Sequence, residues 1–221
     1  MSGALAAKLF FYFVPMVLSL SFHEWAHAFS AHLLGDDTAR GMGRMTVNPL
    51  AHIDPLGTLL LPAISIAATG VAFFGWAKPV PINPARFRRT IRVGPGLALS
   101  AAAGPAANVA LGLLAGLALG LWRRTGAMPP AAGTLLGATM AVNAGLAVFN
   151  LVPVPPLDGS RVLAALLPRN AAASYARFAA FSPILLIVLI SVPAASGLVF
   201  GPAEKLLLVF ERLAMACAGG A

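Results

Sequence analysis

What most restricts this chain is a series of long apolar runs, at about residues 9 to 34, 59 to 75, 97 to 122, 134 to 152 and 179 to 200, separated by loops rich in Pro, Gly and Arg. About 20 consecutive apolar residues is the length a helix needs to cross a bilayer. Composition agrees: 59% of the residues are hydrophobic, 10% are charged and the mean hydropathy is +0.85, whereas soluble domains are roughly a quarter charged. The expected fold is an all-α polytopic membrane protein with about 4–6 membrane helices. No polar stretch is long enough to form a soluble module, so residues 1–221 read as a single membrane-embedded domain.

Three stretches depart from simple crossing. The run 59 to 75 is short and interrupted by Pro62 and Gly70, so it can be re-entrant, dipping into the membrane without crossing it. Residues 36 to 57 alternate polar and apolar positions between Gly and Pro, which suggests a small β-hairpin or an extended loop after the first helix. Residues 204 to 217 set Leu206, Leu207, Val209, Phe210 and Leu213 against Glu204, Lys205, Glu211 and Arg212, the pattern of an amphipathic interfacial helix. At the N-terminus, Lys8, the run from Leu9 to Leu20 and Ala26-His27-Ala28 imitate a cleaved signal peptide. The run continues to Leu34, however, which favours a membrane helix.

The net charge of +8 does not point to nucleic acid, because the basic residues sit in short loops, where positive charge marks the cytoplasmic face. The single cysteine, Cys217, permits neither an internal disulfide nor a thiolate cluster. Any metal site must use His and carboxylate.

Such a site is visible in His23-Glu24-Trp25-Ala26-His27. On a helix, residues four apart lie one turn along and about 40° around the axis, so both imidazoles can reach one metal. A carboxylate beside a water polarised by that metal can take its proton and pass it to a leaving amine, which is peptide hydrolysis. An H-E-x-x-H match can arise by chance, but ionisable residues inside an apolar span are expensive and mark function. A hydrolytic zinc site takes three protein ligands and keeps one position open. Of the seven acidic residues, Glu24 is committed, Glu204 and Glu211 read as interfacial, and Asp36, Asp37 and Asp54 fall in a polar loop. That leaves Asp158, either as third ligand or as N-cap of a helix from Arg161 to Leu167. His32, about 180° round the helix from His23, cannot join the same site, and His52 reads as a hydrogen-bonding loop residue.

Together, His23-Glu24-x-x-His27, Gly104-Pro105-Ala-Ala-Asn108 and Asn150-Leu-x-Pro-x-Pro-Pro-Leu-Asp158-Gly159 resemble the site-2 protease family of intramembrane metalloproteases, in order and placement, over residues 9 to 168. The resemblance implies one Zn2+ per chain held by His23, His27 and Asp158, with Glu24 as general base. It implies a transmembrane protein as substrate and a multi-pass location in a bacterial-type inner membrane. It also implies that Asn108 and Asn150 face the active site, where an amide could hold substrate or the developing oxyanion; an interhelical hydrogen bond is the other use for each. The chain has no room for the PDZ or CBS domain of better-known members.

Topology provides a check. If 59 to 75 is re-entrant, His27 and Asp158 approach from the same face. The loops on that face then carry ten Lys or Arg against five elsewhere, which puts the site toward the cytoplasm. Full crossing would separate the two motifs and give nine against six. A metal transporter would need ionisable residues along several helices, and the runs 59 to 75, 97 to 122 and 179 to 200 carry none. An inactive scaffold would have no use for Glu24.

Overall fold

A computed structural model describes residues 3–69 and 76–219. The chain begins with α1 (Gly3–Leu33) and continues through short turns to α2 (Leu61–Thr69). Six helices follow: α3 (Val93–Arg124), α4 (Pro130–Leu151), α5 (Asp158–Leu166), α6 (Arg169–Phe178), α7 (Ser182–Ser191) and α8 (Pro193–Ala218). Four described stretches are long and apolar enough to cross a membrane: Leu9–Leu33, Val93–Arg124, Pro130–Leu151 and Asn170–Leu189. The protein is an all-α integral membrane protein.

Helix α3 is the centre of the bundle and packs against α1, α4, α5 and α8. Its sequence explains why. Gly96, Ser100, Gly104, Asn108, Gly112, Gly116 and Gly120 recur every four residues and are all buried. Each step of four advances 40° around the axis, so this row of small residues winds from one neighbour to the next, letting backbones approach closely. Near its start a Cβ at Gly96 would strike the Phe87 ring, and toward its end a Cβ at Gly116 would lie 2.7 Å from the Phe210 carbonyl oxygen.

The same row also receives part of residues 204 to 217. They form the C-terminal half of α8 and pack into the bundle, with Phe210 fully buried and clustered with Ala214, Ala115, Leu119, Met140 and Ala144. Phe210 and Ala214 meet the glycine-lined helix, while Val209 on the same apolar face stays exposed. The run 179 to 200 is also divided, because Val192 is extended and Pro193 opens α8 at a first-turn position where its missing N–H costs nothing.

No strand forms among the described residues, so of the hairpin or extended loop expected at 36 to 57 it is a loop that is present, with short helical turns. Asn48-Pro49 and Asp54-Pro55 are the cause: each Asx side chain accepts the main-chain N–H two residues on, and each proline occupies the first helical position.

The run 59 to 75 returns to where it started. Trp76 N donates to Gly57 O at 3.1 Å, Thr58 Oγ1 donates to Trp76 O at 2.7 Å, and Lys78 N donates to His52 O at 2.8 Å. Residues 70 to 75, including Gly70, lie outside the described residues, and the described ends on either side of them are hydrogen-bonded to each other. The C-terminal ends of α1 and α4 therefore share a face of the bundle.

Candidate metal centre

His23 and His27 lie one turn apart on α1, ring edge to ring face, with their Nε2 atoms 2.9 Å apart. Asp158, the first residue of α5, brings Oδ2 to 3.1 Å from His23 Nε2 and 3.2 Å from His27 Nε2. All three side chains are buried.

Two glycines make this convergence possible. At Gly104 of α3 a Cβ would sit 2.5 Å from His27 Nε2 and 2.6 Å from His23 Cε1, so only glycine lets α3 close over the imidazoles. At Gly159 a Cβ would overlap the Leu151 carbonyl, so glycine lets the turn carrying Asp158 fold back on the end of α4. That turn exists because Pro153, Pro155 and Pro156 cannot continue α4. Asp158 is not an N-cap, a position held by Leu157, and its carboxylate turns toward the histidines instead.

The outer ring nitrogens fix the protonation pattern. His27 Nδ1 lies 2.7 Å from the Ser100 carbonyl oxygen, which can only accept, so Nδ1 carries the hydrogen. His23 Nδ1 lies 2.6 Å from Asn108 Oδ1 and donates likewise. In the neutral rings both Nε2 atoms therefore present lone pairs to each other and to the Asp158 carboxylate. Asp158 Oδ2 accordingly sits within ion-pair distance of both rings yet is buried without a hydrogen bond. Three lone pairs this close repel unless they share a cation. Tetrahedral zinc with bonds of about 2.0–2.1 Å places its ligand atoms about 3.3–3.4 Å apart, close to the triangle formed here. The donor set of two imidazoles and a carboxylate fits zinc, and His23, His27 and Asp158 are the residues that could hold it.

Glu24 borders the same point, with a carboxylate oxygen in a group with His23 and His27 that spans no more than 4.8 Å. Its Oε2 accepts the Val80 N–H at 2.8 Å. Residues 76–83 run past α1 without helix or strand structure, and Pro79 and Pro81 lack an N–H, so Val80 is the one donor of its tripeptide. Nothing in the sequence marks this contact beyond the Pro-Val-Pro spacing.

Of the two asparagines, Asn108 reaches the centre, bonded to His23. Asn150 donates to Leu146 O within its own helix at 3.0 Å, and no hydrogen bond among the described residues links it to the triangle. His32 pairs at the surface with Asp37, and His52 is buried against the Thr46 carbonyl, both away from the metal ligands. Sequence reasoning missed Ser100, whose contribution is a main-chain carbonyl, and Asn143, a polar residue on an apolar helix and thus a legible signal.

Residues 127–191, which include Asp158, match the family described as Peptidase family M50. The chain is 34% identical over 188 residues to YwhC of Bacillus subtilis, named as a candidate zinc metalloprotease, an alignment covering 83% of this chain and 81% of that one. Two proteins named Rip2, also as candidate zinc metalloproteases, are each 32% identical: that of Mycolicibacterium smegmatis over 80% of this chain and 65% of its own, and that of Mycobacterium tuberculosis over 84% and 68%. No solved structure matches. With a family match over the aspartate turn and relatives aligned over four fifths of its length, the chain belongs to peptidase family M50, the site-2 protease family.

Proposed function

We propose that this chain is an intramembrane zinc metalloendopeptidase that hydrolyses peptide bonds within or next to transmembrane segments of other membrane proteins. The observation that carries this reading is the buried triangle of lone pairs from His23, His27 and Asp158 with the Glu24 carboxylate beside it. Zinc, when bound there, supplies a Lewis acid that polarises the scissile carbonyl and makes water easier to deprotonate.

The chain's own residues do the rest. Val80 N–H holds Glu24 Oε2, which leaves Oε1 to take the proton from the attacking water and deliver it to the departing amide nitrogen. His23, His27 and Asp158 act as ligands. Burial of the cluster keeps bulk water from competing with substrate, and a helical substrate must unwind locally before its carbonyl is accessible. With segment 59 to 75 re-entrant, residues 35–96 and 153–169 on its face carry nine of the 15 Lys and Arg residues, which supports a cytoplasmic orientation in a bacterial inner membrane.

The test is Glu24→Gln in full-length protein reconstituted with a panel of single-span membrane proteins. Zinc content should stay near one per chain while cleavage falls about 10²–10⁴-fold, the usual contribution of a positioned general base. Cleavage at the wild-type rate by the variant, or zinc flux indifferent to Glu24, would overturn the reading.

A further inference from the structure

A continuous line of buried side-chain amides runs from the metal-facing histidine to the main chain of α4. Asn143, fully buried on α4, donates Nδ2 to Thr139 O and to Ser19 Oγ, each at 2.8 Å. Its Oδ1 accepts from Asn108 Nδ2 at 2.8 Å. Asn108, also fully buried, turns its Oδ1 to His23 Nδ1 at 2.6 Å.

The polarity of this line is over-determined. Thr139 O is a carbonyl and accepts only, so Asn143 must present its nitrogen there and its oxygen to Asn108. Asn108 must then present nitrogen to Asn143 and oxygen to His23, which forces the His23 hydrogen onto Nδ1. Reversing either amide would set two acceptors or two donors against each other inside a membrane bundle, where no water can relieve them.

We infer that Asn143 is a positioning residue for zinc: through Asn108 it fixes His23 in the Nδ1–H tautomer, so that Nε2 always faces the metal as a lone pair. This rests on the proposed zinc site and assigns Asn143 a role in the reaction machinery that an ordinary interhelical hydrogen bond would lack. The Ser19 hydroxyl on α1 completes the line, tying the helix that carries His23 to the helix that sets its polarity.

The test is zinc affinity of the purified full-length chain, by chelator competition, together with its thermal midpoint without zinc. Asn143→Leu keeps the shape and removes both hydrogen-bonding atoms, and should weaken zinc about tenfold or more, as loss of a partner behind a metal ligand does. Asn143→Asp, kept in its neutral acid form by burial beside the Thr139 carbonyl, retains both a donor for that carbonyl and an acceptor for Asn108, and should bind within about threefold of wild type. Equal zinc affinity in Asn143→Leu and wild type, or an equal loss in Asn143→Asp and Asn143→Leu, would overturn the inference. Independently of any variant, ¹⁵N-histidine spectra of the metal-free full chain at mildly alkaline pH should show His23 protonated on Nδ1; protonation on Nε2 would overturn it. A wild-type chain that binds no zinc would instead refute the underlying site.

Discussion

The smallest residue at the centre is as informative as the largest. Gly104 faces both imidazoles, and a methyl there would lie 2.5–2.6 Å from their ring atoms. In a helix Gly→Ala gains up to about 1 kcal/mol of propensity, while overpacking costs about 1–3 kcal/mol, so the balance is paid at the histidines. Gly104→Ala should stay folded yet bind zinc at least about tenfold more weakly, with cleavage falling in parallel, as chelator competition would measure; unchanged affinity would mean that α3 does not close over His23 and His27. At this scale the sequence was a good guide wherever chemistry demands a side chain: His23, Glu24, His27 and Asp158 converge because their types and spacing already implied it. It was a poor guide to Val80 and Ser100, which contribute main-chain atoms that any residue type has.

Among the elements, the re-entrant segment decides whether the two halves of the site can meet. Its ends are joined by the Trp76–Gly57 and Thr58–Trp76 hydrogen bonds, and a Cβ at Gly57 would run into the Trp76 indole. In a Cys217→Ser background, single cysteines at Leu56 and Lys78 should react with an impermeant maleimide from the same side of sealed vesicles. Reaction from opposite sides would mean full crossing and would carry Asp158 away from the histidines. Pro62 and a length near 17 residues are what raised the re-entrant reading from the sequence. The C-terminal helix was harder to read. Its amphipathic pattern fits a lipid interface and a glycine-lined groove equally well, and only the four-residue period of Gly112, Gly116 and Gly120 on α3, a signal carried by a distant part of the chain, separates the two. Between the hairpin and the loop expected at 36 to 57 the choice was local, since Asx-Pro pairs start helical turns as readily as they punctuate strands.

The whole molecule is a helical bundle that keeps a strongly polar cluster in an apolar interior. That cluster is costly unless a metal and a satisfied hydrogen-bond network compensate for it, and here the network reaches from His23 through Asn108 and Asn143 to the α4 main chain. A zinc metalloprotease built this way works where bulk water is scarce, so its product should record both the origin of the new oxygen and the depth of the cut. The most direct test is mass spectrometry of single-span membrane substrates incubated with the reconstituted protein in H₂¹⁸O. The account predicts cleavage inside or at the edge of the apolar span, with one ¹⁸O in each new carboxyl terminus, abolished by zinc chelation and by Glu24→Gln. Products cut only in soluble regions, or formed equally well by Glu24→Gln, would contradict it.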